Sequence, residues 1–243
     1  MIQTTILSAR RVGVVEDFHV WTDQPIEGAI IHPSGSYNKD HYLFKFRFLL
    51  NEVSKLDYDY YVFIDADNYF VRHPGEGTFD LLLRDSKVFV QLENDCTSPF
   101  VKRDDWWGCP IKFFPLLMRY MGVQSNKIYN TNAGFWIVRR EHIREFYHTG
   151  MGFWHACREE VGITFTEEAP LAFIGHVMQT DIEQSYFDNT KQVWASDWTG
   201  VYSDRLPDGN QWDFEDYMTG EKKPVNPAIV HAMRSKSALI RGI

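Results

Sequence analysis

The sequence predicts an α/β protein: a mixed, mostly parallel central sheet flanked by helices, folded as a single domain over residues 1–243. Three observations lead there. The run Tyr60–Ile64 (YYVFI) carries no polar break, as suits a central strand covered on both faces. Segments of strand-like and helix-like patterning alternate along the chain, the arrangement expected of a parallel sheet with crossover helices. No internal repeat or low-complexity tract divides the chain.

The elements follow in order. Thr4–Ala9, Phe18–Thr22 and Ala29–Ile31 are short apolar runs closed by charged or proline-bearing turns, and they read as strands. Over Asp40–Lys55, Leu43, Phe46, Leu50 and Val53 recur at spacings of three and four, which places them on one helical face, with Asn38 or Asp40 as cap. The Tyr60–Ile64 strand ends at Asp65-Ala66-Asp67. A short helix over Phe79–Leu83 and a strand over Val88–Leu92 come next, then a polar, Trp-bearing loop over Asn94–Pro110. Ile111–Met121 reads as helix, Gly134–Val138 as strand, and Glu141–Ala156 and Ala169–Met178 as helices, the last with Pro170 in its first turn. From about Thr199 onward Gly, Pro, Asp and Asn are frequent, and the tail reads mainly as loop.

Composition narrows the function. Lys and Arg number 25 against 33 Asp and Glu, a formal charge of −8 that argues against a broad nucleic-acid-binding surface. Cys96, Cys109 and Cys157 are odd in number and lack CxxC spacing, so they read as reduced thiols. The N-terminal apolar stretch is too short for a secretory leader, and no segment approaches the roughly 18 consecutive apolar residues of a membrane span. A soluble, cytoplasmic protein is the expectation. Aromatic residues make up 16% of the chain; Trp106, Trp107, Trp194 and Trp198 are candidates for a sugar-binding groove, with core packing the safer reading for each.

The most informative segment is Asp59–Asp67, DYYVFIDAD. Two carboxylates separated by one small residue at the end of a buried strand can converge on one hard divalent cation, with water and phosphate oxygens completing the shell. With this motif the chain resembles the metal-dependent nucleotide-sugar glycosyltransferases of the GT-A fold. The segment His19-Val20-Trp21-Thr22-Asp23-Gln24-Pro25 is similar to the "FTDQP" strand end of the blood-group and α1,3-galactosyltransferase type family. Asn132-Ala133-Gly134-Phe135-Trp136, Glu167-Glu168-Ala169-Pro170-Leu171 and a basic tail fall in that family's order.

The resemblance implies a GT-A fold with a nucleotide-binding part at about 1–95 and an acceptor side with the tail at about 96–243. It implies that Asp65 and Asp67 hold Mn²⁺ or Mg²⁺ against the diphosphate of a UDP-sugar, with UDP-glucose or UDP-galactose as donor. Ala66 leaves room for the ribose, and Asn132, Ala133 and Gly134 lie against the donor sugar. Glu168 lies beneath the anomeric carbon, and Glu167 acts there or on the acceptor hydroxyl. Ser8, Ala9 and Arg10 fall where such folds seat the uracil, and Lys45 is a further donor contact. In the tail His231, Arg234 and Lys236 follow the apolar run Ala228-Ile229-Val230. They resemble the His-x-x-Gly-x-x-Lys of the glycogenin-type family, with the Gly missing and the spacing one residue shorter, so His231 joins the metal shell and Arg234 and Lys236 neutralise the leaving diphosphate.

The expected reaction is hexose transfer from a UDP-sugar to a hydroxyl of a glycan or other acceptor, with retention of configuration. An inverting GT-A transferase and a sugar-nucleotide-binding module without transfer activity are the alternatives. A nucleotidyltransferase would share the carboxylate-bound metal but needs a Gly-rich basic phosphate loop, where this chain has only Arg10, Arg11 and Gly13.

Overall fold

The computed structural model describes residues 1–33, 43–106, 109–163, 165–182, 193–196, 212–215 and 222–232. The expected Asn38 or Asp40 cap, Trp107, Trp198, Arg234 and Lys236 lie outside them. Two compact units emerge: Met1–Tyr37 with Ile64–Glu76 and Lys191–Ile243, and Asn38–Phe63 with Gly77–Thr190.

The first unit opens with helix α1 (Ile2–Arg11), where the sequence suggested a strand over Thr4–Ala9. The physical signal was helical: the residues it buries, Thr5, Ile6, Ser8 and Ala9, repeat at the spacing of one helix face. Strands β1 (His19–Trp21) and β2 (Ile30–His32) then pair in parallel. A three-stranded sheet of order β4-β12-β9 forms the other layer, from Asn68–Phe70, Ile229–His231 and Trp194–Ser196. Strand β12 lies antiparallel to β4 and parallel to β9. Strands β10 (Trp212–Glu215) and β11 (Lys222–Val225) form an antiparallel pair, so the region read as mainly loop contains three strands.

The second unit is built on the sheet β3-β8-β5, from Tyr60–Ile64, Tyr129–Arg139 and Val88–Asp95. Helices α2 (Phe44–Asn51), α5 (Ile143–Ala156) and α6 (Glu168–Met178) pack in this unit. It also holds α3 (Thr78–Leu83), α4 (Phe114–Tyr120) and the β6–β7 hairpin of Asp105–Trp106 and Cys109–Pro110. Its core stacks Phe63 on Trp136 at 4.6 Å and Trp136 on Phe146 at 4.9 Å, and Phe46 meets Phe146 edge to face. One strand and two helices are thereby joined to the central strand β8 through aromatic faces. Cys96 and Cys157 are buried and form no disulfide, and burial pushes the Cys157 thiol up to about 12.

The chain is α/β, but the mostly parallel central sheet is overturned. Among the described pairings, the three-residue contacts of β1 with β2 and β9 with β12 are parallel, whereas β5–β8, β4–β12, β6–β7 and β10–β11 are antiparallel. Alternation of strands and helices was the basis of that expectation, and two facts undo it. The first expected strand is α1. The connection from β5 to β8, although it carries α4, returns the chain in the opposite direction, which a link of that length permits as readily as a crossover. Among the described residues no helix is long and apolar enough to cross a membrane.

Gly150 sits where α5 crosses its neighbours: a Cβ there would lie 2.8 Å from Phe46 and 2.9 Å from Ile174. Gly152, one residue beyond its flank, has nothing within 4 Å. Gly150→Ala will therefore lower the melting midpoint, because overpacking of about 1–3 kcal/mol outweighs the helix-propensity gain of about 1 kcal/mol. Gly152→Ala will raise it, keeping most of that gain. Thermal melting of the two variants side by side checks both signs.

Candidate functional site

Strand β3 leaves its sheet into the tight turn Asp65-Ala66-Asp67-Asn68, closed by donation from the Asn68 N–H to the Asp65 carbonyl at 3.1 Å. Several groups fix this turn. The Asn68 side-chain amide donates to the Asp65 carbonyl at 2.9 Å, and its oxygen accepts from the Trp194 indole at 2.7 Å. Thr5 on α1 donates its hydroxyl to the Asn68 carbonyl at 2.6 Å. From the far end of the chain, β12 pairs His231 with Asn68, and the Ala232 N–H donates to the Asp67 carbonyl at 2.8 Å.

That pairing delivers the His231 imidazole to the carboxylates. Its Nε2 lies 3.0 Å from Asp67 Oδ1 and 3.9 Å from Asp65 Oδ2. One ligand atom from each of Asp65, Asp67 and His231 falls within 4.8 Å of the others. Ligands about 2.1 Å from a common ion stand roughly 3–4.2 Å apart, so shifts of tenths of an ångström convert the group into part of a coordination shell. His231 is 3% exposed and Asp67 7%, while Asp65 is half-buried and Ala66 exposed, which leaves one side for an incoming ligand. The Nδ1 atom of His231 is buried with no hydrogen-bond partner among the described residues. With the proton on Nε2 and donated to Asp67, Nδ1 is a bare acceptor; an ion on Nε2 would move that proton to Nδ1. The residues fit a divalent cation, and the group can hold a metal ion.

The other named residues separate into three sets. Ser8 and Ala9 are buried inside α1, and the Ser8 hydroxyl is spent on the Thr5 carbonyl at 2.7 Å and the Phe70 N–H at 2.9 Å. Arg10 places its guanidinium on the carbonyls of Val14, Glu16 and Gly28, clamping the loop after α1. No strand end stands there to seat a base. Trp194 and Trp106 are core residues at 0% and 3% exposure.

The remaining set belongs to the second unit. Between the pairs Val90 with Trp136 and Leu92 with Thr131, β5 advances two residues while β8 covers five. Asn132, Ala133 and Gly134 thus lie in a bulge within β8, not in a turn before it. Bulges re-aim side chains and often flank active sites; here Asn132 Oδ1 accepts the Gly134 N–H at 2.8 Å. The Ala133 N–H is released from the ladder and donates to Glu168, as does the Trp106 indole. Glu168, in the first turn of α6, is 8% exposed. Desolvation above all, then the charges of Glu93 and Glu167, push its carboxyl well above the usual glutamate range against those two donors. Lys45 pairs with Glu167 at 3.0 Å and lies over the Phe63 ring.

Glu93, 9% exposed on β5, was not among the expected site residues. Its signal was a carboxylate directly after the strand-like stretch Val88–Leu92, as Asp65 follows Tyr60–Ile64. The supporting role of Trp106 toward Glu168 left no such trace, because it depends on the β6–β7 hairpin. No protein-family model matches the chain, and no curated protein sequence is significantly similar to it.

Glu168→Gln will raise the melting midpoint near neutral pH. Glutamine keeps an acceptor for Ala133 or Trp106 and offers its amide protons to the neighbouring carboxylates. Because the folded-state pKa is raised, ionisation of Glu168 costs stability above its unfolded value near 4.5, and the cost disappears as pH falls below it. The gain must shrink on acidification; a pH series of melting curves reads it.

Proposed function

We propose that the protein is a metal-dependent glycosyltransferase that moves a hexose from a UDP-sugar to a hydroxyl acceptor with retention of configuration. The observation that carries this reading is the meeting of Asp65, Asp67 and His231, a DxD turn completed by a histidine from the far end of the chain. A strand-end carboxylate pair with a third ligand suits Mn²⁺ or Mg²⁺ bound also by diphosphate oxygens. When bound, the ion supplies positive charge that offsets the charge growing on the departing diphosphate.

The chain's residues take the following roles. Asp65, Asp67 and His231 hold the ion, and the exposed Ala66 offers no bulk against the donor. In the GT-A resemblance Asn132, Ala133 and Gly134 are the residues assigned to the donor sugar. Glu168 is a carboxyl whose anion is poorly solvated and repelled by Glu93 and Glu167. Positive charge developing at the anomeric carbon supplies the counter-charge that the resting site lacks, so the interaction strengthens toward the transition state. Glu167, held by Lys45, accepts a hydrogen bond from the acceptor hydroxyl. The bond from the anomeric carbon to the β-phosphate oxygen breaks with its electron pair on UDP. The acceptor oxygen forms the new bond on the face that the diphosphate leaves and passes its proton to the departing β-phosphate oxygen.

Mn²⁺ is expected to raise UDP affinity at least about tenfold, or ~1.4 kcal/mol, by calorimetry. Asp67→Ala should abolish that increase and the transfer while leaving the melting curve of a folded chain. Metal-independent UDP binding, or full turnover by Asp67→Ala at limiting Mn²⁺, would sink the proposal; metal-dependent UDP binding without turnover over a donor and acceptor panel returns the binding-module alternative.

For the stereochemistry, the first-formed product should keep the donor's anomeric configuration by proton NMR, and an inverted linkage removes the retention assignment.

A further inference from the structure

Helix α4 carries apolar side chains on both its buried and its exposed side. Phe114, Leu117 and Met118 are buried, with the Phe114 ring edge-on to Trp106 at 5.0 Å. On the opposite side Phe113, Leu116 and Tyr120, spaced three and four apart, are 53%, 58% and 68% exposed. The Tyr120 hydroxyl donates to Glu160 at 2.7 Å, which leaves its ring outward. The strand arm leading into the β6–β7 hairpin adds Phe100 at 74% exposure. The Ile111 N–H donates to the Asp104 carbonyl at 3.0 Å, extending the pairing of Asp105 with Pro110. That bond sets Asp104 opposite Ile111, with Lys102 and Arg103 preceding the one and Lys112 and Phe113 following the other.

Three exposed aromatics and a leucine are more apolar surface than scattered exposure explains, and the charge around them says what covers it. Residues 98–127 carry five basic side chains (Lys102, Arg103, Lys112, Arg119 and Lys127) against Asp104 and Asp105, in a chain whose formal charge is −8. Glu160, at the Tyr120 hydroxyl, adds one carboxylate to this surface, so the apolar face borders a net basic segment of an acidic protein. We propose that this face seats the chain on an anionic lipid bilayer, with Phe100, Phe113, Leu116 and Tyr120 entering the headgroup boundary and the lysines and arginines meeting lipid phosphates. Aromatic rings favour that boundary, and each basic side chain near it adds to the attraction. The net negative charge of the rest of the chain is repelled by the same surface, which favours docking by this face. The chain lies on the membrane and does not cross it.

Flotation of the full chain with phosphatidylcholine vesicles, alone or containing phosphatidylglycerol, tests this. The chain should float with the anionic vesicles, less so at raised salt, and only weakly with the neutral ones. Phe113→Ser with Leu116→Ser, and separately Lys102→Glu with Lys112→Glu, should each lower partitioning about tenfold or more. These side chains are exposed, and unchanged melting curves will confirm that the variants fold. Equal binding to both vesicle types, or none, overturns the proposal. So does wild-type self-association in sedimentation that the Phe113/Leu116 variant abolishes without any vesicle effect, since a second copy of the chain would then be the occupant.

Discussion

The candidate metal centre depends on the antiparallel pairing of β12 with β4. His231 and Asp67 are 164 residues apart in sequence, and that three-residue register, with the Ala232 N–H bond to the Asp67 carbonyl, brings the imidazole to the turn. Strand β12 is central in its sheet, so β9 braces it from the other side, and the Trp194 indole bonds Asn68 and tilts over His231 at 5.8 Å. Two carboxylates and an imidazole with this little exposure are costly to desolvate unless paired. Their mutual contacts and the backbone bonds to the turn offset part of that cost, and a cation would offset more.

The second unit concentrates charge differently. Glu168 is held close to Glu93 and Glu167, with two N–H donors and one lysine at the edge of the group. The β8 bulge is the device that permits this: three extra residues free the Ala133 N–H from its ladder and turn it toward a carboxylate. A neutral side chain at Glu168 would pack with less penalty, whereas an anion there would be relieved by a cationic partner.

Much of the local structure was legible in the sequence. Tyr60–Ile64 is a strand with the expected bounds, and α2, α5 and α6 lie where spacing put them; in the described sheet, however, β3 is an outer strand of half-buried residues and not the covered central strand expected, because an unbroken apolar run marks a strand and not its place in the sheet. The Asp65-Ala66-Asp67 turn could be named because it follows an apolar strand, and His231 because it closes the apolar run Ala228–Val230 in a pattern resembling the glycogenin-type tail. What could not be read was direction and pairing. Thr4–Ala9 is equally apolar as a strand or as one face of a helix, and its buried positions decided for helix. Strands of two to four residues, such as β4, β6 and β9–β12, are too short for periodicity to register, yet β12 sets the site. The parallel sheet was expected from alternation alone, and alternation constrains element order, not strand polarity.

The central claim is that His231 and the two aspartates share one ion. Pulsed electron paramagnetic resonance of the Mn²⁺-loaded full chain reads it directly, since an imidazole ligand couples its nitrogen to the metal spin. The account requires nitrogen coupling in the wild type and its loss in His231→Ala under conditions where that variant still binds Mn²⁺ through Asp65 and Asp67. Bound Mn²⁺ without nitrogen coupling in the wild type, or with the same coupling in His231→Ala, would contradict it.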